Sequence, residues 1–245
     1  DDYTKKISSI CNARLIWGGD NSIKNIRNFP LNQRALDIAF ADRYSFCVMN
    51  TSEVMKLGKK EIKRLVERFY NDTYLVDQNA CSSPHLVVWL GKKVDKARNK
   101  FWRHLHYHVN KKYILTETAS LDKYTQLCSH ILSLDNLKKY ELYNNSIYTT
   151  FLKKLNKNIH ELRGKWGFFY EYNINDLNKM KNYINNKYQT LTYFGLNKGI
   201  LKNFILKNQL EGIDRIVPIG QALDISLFWD GYDLNRILSR VVDIK

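Results

Sequence analysis

Asp77-Gln78-Asn79-Ala80-Cys81-Ser82-Ser83-Pro84-His85-Leu86-Val87-Val88-Trp89-Leu90-Gly91 sets a polar loop against an unbroken apolar run. The run Leu86–Leu90 reads as a buried strand, because a half-exposed strand would alternate with polar residues. Pro84 stiffens the turn leading into it, and Gly91 ends it. A basic helix follows from about Val94 to Asn110, with Val94, Ala97, Phe101, Leu105 and Val109 as its core stripe.

Working outward, the same alternation of strand and helix recurs. Upstream, Ala13–Trp17 reads as a strand ending in Gly18-Gly19-Asp20. Ser22–Phe29 then carries Ile23, Ile26 and Phe29 at helical spacing, with Pro30 as a stop. Tyr44–Met49 is a second buried strand. Ser52 is expected to cap a helix through about Tyr70, with Leu57, Ile62, Leu65, Val66 and Phe69 on one face. Downstream, Leu121–Asn158 reads as mixed helix and irregular structure. Strands are expected at Phe168–Tyr172 and Leu191–Phe194. Helices are expected at Asn175–Lys187, with Leu177, Met180 and Ile184 inward, and at Lys198–Leu210. Ile213–Val217 and the segment before Trp229-Asp230-Gly231 read as extended. Leu234–Ile244 reads as a short helix passing into an apolar strand. Such alternation makes the fold class α/β.

The 245 residues are 44% apolar and 13% aromatic, which suits a globular chain with a substantial core and excludes intrinsic disorder. No apolar run approaches a membrane span, and no signal-peptide pattern opens the chain. A net charge of +15 raises nucleic acid, acidic membrane surfaces and phosphate-bearing ligands as partners. The basic residues are spread along a Lys- and Asn-rich chain, however, and no nucleic-acid recognition motif is present. Cys11, Cys47, Cys81 and Cys128 form no C-x-x-C pair, so neither a zinc ribbon nor a thioredoxin-type site is expected. They read as reduced, cytosolic thiols.

Cys81 is the best candidate nucleophile. A thiolate at a polar turn can be met by backbone N–H groups, which lower its pKa and later hold an oxyanion. The bland alternative is a small buried hydrophobe. Cys47 sits inside an apolar strand and reads as core. His104 and His108 share a helix face, but Arg103, Lys111 and Lys112 flank them and no acidic partner is near, so no metal is expected. A Cys81–His85 dyad is conceivable, although the strand after Pro84 aims His85 elsewhere. Gly18-Gly19-Asp20, at a strand-to-helix turn, either offers backbone N–H groups to a cofactor or phosphate or is merely a turn.

Several segments, taken in order, resemble the fatty acyl-CoA reductases of luminous bacteria, a divergent branch of the aldehyde dehydrogenase superfamily. They are Trp17-Gly18-Gly19-Asp20, Phe40-Ala41-Asp42-Arg43-Tyr44-Ser45, Ala80-Cys81-Ser82-Ser83-Pro84-His85, Asp214-Arg215-Ile216-Val217-Pro218-Ile219-Gly220, and Trp229-Asp230-Gly231-Tyr232-Asp233-Leu234 with Leu238-Ser239-Arg240. The resemblance covers essentially the whole chain.

It implies an aldehyde-dehydrogenase-like catalytic domain with the end of a Rossmann-type cofactor domain. Residues 1–40 would be the remnant of the cofactor domain, 41–232 the catalytic domain, and 233–245 a C-terminal oligomerisation segment. Cys81 would be catalytic. Gly18, Gly19, Asp20, Trp166 and Gly167 would contact the cofactor, Trp166-Gly167-Phe168 resembling the family's Phe-Gly-Pro segment. Trp229 and Gly231 would border the substrate. The activity implied is reduction of long-chain acyl thioesters, on CoA or a protein, to fatty aldehydes for luminescence, with NADPH, in the cytoplasm. The family's reductase is about twice this length, so the chain resembles its C-terminal half. The partners implied are an acyl-protein synthetase, an acyltransferase and further copies of the chain. Lys92, Lys93 and Lys96 would offer a basic surface to acidic partners or to the phosphates of CoA and NADPH. The alternative is a non-catalytic half-enzyme serving as an interaction or oligomerisation module.

Two departures stand out. The general-base Glu of hydrolytic aldehyde dehydrogenases has no equivalent in Ala39–Asp42, which suits reduction rather than hydrolysis. Gly164 stands near the family's ribose-binding Glu, leaving that contact open and giving room for a 2′-phosphate.

Overall fold

The computed structural model describes residues 2–245. They form two compact units, one of residues up to Arg43 with Ile225–Lys245, the other of Tyr44–Asp224.

The first unit holds α1 (Asp2–Ile10), β1 (Ala13–Gly18), α2 (Asp20–Arg27) and β2 (Leu36–Ala41). β1 and β2 pair in parallel, Ala13 opposite Leu36 and Gly18 opposite Ala41. Asp37 on β2 ties the three elements together by accepting from Arg14 Nε on β1 (3.1 Å) and Arg27 Nε on α2 (3.1 Å). Burial works to raise its carboxyl, yet the two guanidiniums hold it below the usual carboxylate range. Residues 225–232, expected at the end of the catalytic domain, group with this unit. They form a hairpin, Phe228–Trp229 with Tyr232–Asp233, and Tyr232 meets Phe40 of β2 edge-on at 5.9 Å. A helical turn, Leu234–Ile237, follows, and the expected apolar strand after it is absent from the described residues: Val241, Val242 and Ile244 are exposed.

The second unit contains β3 (Tyr44–Asn50), α3 (Thr51–Lys56), α4 (Lys59–Thr73), β4 (Pro84–Leu90), α5 (Val94–Lys112), α6 (Glu117–Ser133), β5 (Leu137–Tyr143), β6 (Ile147–Leu152), β7 (Phe168–Ile174), β8 (Tyr188–Phe194), α7 (Lys198–Asn208) and β9 (Arg215–Pro218). Its seven strands make one sheet in the order β5-β6-β7-β4-β3-β8-β9, all neighbours parallel except the β5–β6 pair. Strand residues alternate faces. Cys47, Met49, Val87 and Trp89 pack under α4 and α5, while Phe46, Val48, Leu86 and Val88 pack with α7 and the 3₁₀ helix Leu177–Asn182 on the opposite side. Burial on both faces is why these strands read as continuous apolar runs.

Three expectations are corrected here. The helix expected from Ser52 to Tyr70 is two helices broken at Leu57-Gly58. Gly58 is extended, and its N–H donates to Glu61 Oε2 at 2.7 Å, which starts α4 afresh. The cap of α3 is Asn50, whose Oδ1 accepts from Ser52 N and Glu53 N. Leu121–Asn158 contains most of α6 and a complete hairpin, β5–β6. The helix expected at 175–187 is the short 3₁₀ turn, capped by Asp176 Oδ1 accepting from Asn178 N at 3.0 Å.

Candidate active site

Cys81 sits in the turn just before β4, half-buried and outside any disulfide. The turn is closed by Ser83 N donating to Ala80 O at 2.9 Å. Its position is fixed from the sheet: Ser45 Oγ, at the start of β3, donates to Cys81 O at 2.6 Å and accepts from Thr190 N of β8 at 3.0 Å. A hydroxyl with both capacities used transmits the sheet's register to the cysteine backbone.

Gln78 joins this turn to the segment around Trp166. Its Nε2 donates to Pro84 O and to Phe168 O, both at 3.1 Å, and its Oε1 accepts from Gly167 N at 3.2 Å. Asp77 and Gln78 both have positive φ, 52° and 62°, a conformation unusual for such residues and found where surrounding contacts impose it. Trp166 is also left-handed, at φ 52°. Its N–H donates to Asp77 O at 3.2 Å, and its carbonyl accepts from Lys123 Nζ of α6 at 2.9 Å. Burial pushes the Lys123 ammonium down to about 7. Gly167 has φ 83°, and a Cβ there would come within 2.3 Å of Tyr74 Oη.

Gln78→Ala would remove three hydrogen bonds to main chain, from Gly167 N and to the Pro84 and Phe168 carbonyls. A loss of about 1–3 kcal/mol in unfolding stability is expected, to be read by urea titration. A change under about 0.5 kcal/mol would count against the clamp.

Asp72 is the second joint. Its main-chain carbonyl accepts from Ser83 Oγ at 2.7 Å, and its carboxyl accepts from Gly220 N and Ala222 N at 2.6 and 2.9 Å. Arg215 braces the same loop, donating to Ala222 O and Asp224 O, both at 2.9 Å. Thus Asp214–Gly220 folds around Asp72, beside the turn that carries Cys81. Burial pushes the Asp72 carboxyl up to about 7, the two N–H bonds opposing it. Because the folded value exceeds the unfolded one, the native state holds a proton that the unfolded chain has released between pH 4 and 7. Stability should therefore fall with rising pH in that window relative to Asp72→Asn, by up to about 1.4 kcal/mol per pH unit. Parallel melting-temperature profiles for the two proteins would refute this.

His85 is buried, stacks on Tyr44 at 5.4 Å and donates from Nδ1 to Gly164 O at 3.0 Å. That proton is committed to a carbonyl, which can only accept. Gly164 has a packing reason of its own: a Cβ there would stand 1.7 Å from Phe168 O. Any side chain at this position would therefore meet the start of β7.

The remaining candidates lie in the first unit. Gly19 caps α2 with no side-chain bond, and a Cβ there would meet nothing within 4 Å. Asp20 opens α2, with Arg43 Nη1 3.9 Å away. Trp17, 62% exposed, stacks on Phe40 at 4.2 Å, and Phe40 meets Tyr232. Trp17-Gly18-Gly19 and the Trp229–Tyr232 hairpin are thereby neighbours. Asp230 and Gly231, at φ 48° and 76°, make the two-residue turn for which Asp-Gly is suited. Among the described residues no group of three or more His, Cys, Asp and Glu could hold a metal, and His106 Nδ1 instead meets Ser146 Oγ at 2.8 Å. No helix of the described residues is long and apolar enough to cross a membrane.

The family model for LuxC acyl-CoA reductase matches residues 1–240. The chain belongs to the LuxC acyl-CoA reductase family. No curated protein matches its sequence. Solved structures place this LuxC-family chain on the aldehyde dehydrogenase fold. An NAD-dependent aldehyde dehydrogenase from Sinorhizobium meliloti superposes with a TM-score of 0.60 at 8% identity, covering 89% of this chain and 45% of its own. A NAD-dependent benzaldehyde dehydrogenase from Corynebacterium glutamicum gives 0.57 at 8% identity, over 89% and 48%. Aldehyde dehydrogenase 21 from Physcomitrella patens, in complex with succinate, gives 0.58 at 8% identity, over 86% and 45%. The LuxC-family chain thus spans about half the length of these enzymes. Of its sequence candidates, Cys81, Trp166 and Gly167 fall in the second unit, and Gly18, Gly19, Asp20, Trp229 and Gly231 in the first. Gln78, Ser45, Asp72 and Lys123, which hold the segments of Cys81, Trp166 and Gly167, carried no local signal beyond the polar loop before Cys81.

Proposed function

We propose that this chain accepts an acyl group on Cys81 as part of a reductase that converts long-chain acyl thioesters to fatty aldehydes. The observation that carries the reading is the Cys81 turn, held by Ser45 and joined by Gln78 to Trp166-Gly167, in a LuxC-family chain. The Cys81 thiolate attacks the acyl carbonyl carbon, the C–S bond to the carrier breaks, and the carrier leaves as a thiolate. Backbone N–H groups at such a turn stabilise the tetrahedral oxyanion, each worth about 3–4 kcal/mol in comparable sites.

The chain's residues fit a nicotinamide cofactor. Gly19 leaves open space at the start of α2, and the Asp20 carboxylate suits a neutral ring better than a phosphate. Trp166 offers a half-exposed indole. When bound, NADPH supplies the hydride that turns the thioester into aldehyde and free thiol. Gly18, Gly19, Asp20, Trp166 and Gly167 are the residues proposed to hold it, and Trp229 and Gly231 to border the acyl substrate.

The domain roles follow from the same reading. Residues 1–40 end a cofactor domain, the body around Cys81 is catalytic, and 233–245 joins a neighbouring copy through exposed Val241, Val242 and Ile244. The proposed setting is cytoplasmic, in a luminescence-related complex with an acyl-protein synthetase and an acyltransferase.

The test is the intact mass of the chain after incubation with tetradecanoyl-CoA. One acyl adduct, labile to hydroxylamine and mapping to the Cys81 peptide, is expected. No adduct on a folded chain, or an adduct on Cys11 or Cys128, would overturn the assignment.

A further inference from the structure

Cys81 precedes the N-terminal end of β4; the residues beyond the other end of that strand line a separate cavity. Its volume is about 890 Å³, within the range of small-molecule sites. The seven residues of β4 set it about 20 Å from the Cys81 turn. The ends of β3, β4 and β7 and one face of α7 form its walls.

The topology explains why a crevice opens there. β4 leads into α5, which packs on one face of the sheet, whereas its neighbour β7 leads into the 3₁₀ helix packed on the other. Where adjacent parallel strands send their connections to opposite faces, the carboxyl ends part, and open α/β sheets bind ligands there.

The lining has a definite chemistry. Lys92, Lys93 and Lys207 bring three ammonium groups, and among the described residues none of them has a carboxylate partner. Asn175 and Asn203 add amides that make no hydrogen bond among the described residues. Asp176 is the one carboxylate of the lining, its Oδ1 accepting from Asn178 N at 3.0 Å and Asn178 Nδ2 at 2.9 Å, and the three ammonium groups outnumber its charge. Half-buried Leu90 and the exposed Met55 and Ile200 give an apolar floor. Lys93 is held left-handed at φ 56°, and Gly91 at φ 120° leaves no room for a Cβ, which would lie 2.7 Å from Thr51 Oγ1. Cations and amide donors over an apolar floor match an anion attached to a flat apolar group.

We propose that this cavity is a second ligand site, for a phosphorylated compound of nucleotide size, separate from the Cys81 chemistry. The phosphate meets Lys92, Lys93 and Lys207, and the apolar group lies on Leu90, Met55 and Ile200.

Lysine footprinting by mass spectrometry tests it, with ADP as probe and adenosine and pyrophosphate as its separate halves. ADP is expected to slow acylation of Lys92, Lys93 and Lys207 at least about threefold, well beyond its effect on Lys5, Lys6 or Lys245. Adenosine and pyrophosphate are each expected to protect less than ADP. Asn203→Trp, which fills the cavity without changing charge at an exposed position, is expected to abolish the protection. Cys81→Ala is expected to leave it intact. Unchanged reactivity of the three lysines with ADP overturns the proposal, as does protection that survives Asn203→Trp.

Discussion

Cys81→Ala is expected to abolish the hydroxylamine-labile acyl adduct while moving unfolding stability by no more than about 1 kcal/mol. The adduct and the stability depend on different groups. The adduct needs a thiolate at the surface of a positioned turn, and the other thiols are differently placed. Cys47 is fully buried in β3, and burial drives its thiol far above its ordinary value, so it stays protonated and unreached. Cys11 donates to Ser8 O at 3.4 Å at the end of α1, and Cys128 lies midway along α6, outside the Ser45–Gln78 framework. The stability half follows from what holds the turn. Ser45 bonds the Cys81 carbonyl and Gln78 bonds the Pro84 carbonyl, so the clamp is made to main chain and survives loss of the sulfur. An acyl adduct of undiminished yield on Cys81→Ala would remove this residue from the chemistry. A variant that lost both adduct and fold would instead show Cys81 to be packing.

How far such features can be read in sequence depends on which physics writes them there. The strands around Leu86–Leu90 and Tyr44–Met49 are legible because two-sided burial demands unbroken apolar runs. The core stripe of α5 is legible because period 3.6 puts Ala97, Phe101, Leu105 and Val109 on one side. β5 is not, since Lys138, Lys139 and Glu141 interrupt an edge strand that needs few apolar residues. The break in α3–α4 turns on one glycine whose extended backbone is chosen by Glu61, a bond invisible to periodicity. Cys81 is singled out in the sequence by its turn and by resemblance. The residues that hold its turn are not, because Ser45 bonds Cys81 across 36 positions, Gln78 bonds Pro84 across 6 and Asp72 bonds Ser83 across 11, through loops that carry no pattern of their own. Gly164 is a caution of the opposite kind: its smallness reflects the Phe168 carbonyl packed against it, whatever ligand lies near.

The largest expected loss of stability lies in the core of the second unit, at Glu171. This carboxylate of β7 is fully buried and receives four bonds. Trp89 Nε1 donates to Oε2 at 2.6 Å, Trp102 Nε1 at 2.9 Å and Arg98 Nε at 2.8 Å, while Arg98 Nη2 meets Oε1 at 2.6 Å. Burial alone would lower the Arg98 pKa, but its bonds to Glu171 outweigh that and hold the guanidinium more firmly charged. Arg98 reaches on to Glu141 Oε1 at 3.2 Å and lies over the Phe151 ring at 5.1 Å, so one cluster fastens α5 to β4, β5, β6 and β7. Such a pair adds little over an apolar core of the same volume, but breaking it leaves a charge in a medium that cannot solvate it. Glu171→Gln keeps an acceptor for the indoles and removes only the charge. Arg98 keeps Glu141 Oε1 at 3.2 Å as a partner, so the cost is expected to stay below the roughly 3–5 kcal/mol of a fully unpaired buried ion, at about 2–3 kcal/mol. Adding Arg98→Met to Glu171→Gln should return part of that loss, because the buried cation that has lost its nearest partner is then gone. Urea unfolding of the two single variants and the double variant closes the cycle. A double variant whose loss equals the sum of the two single losses would mean that the pair acts as two independent packing groups, and the account of the cluster as a charge-coupled anchor would fail.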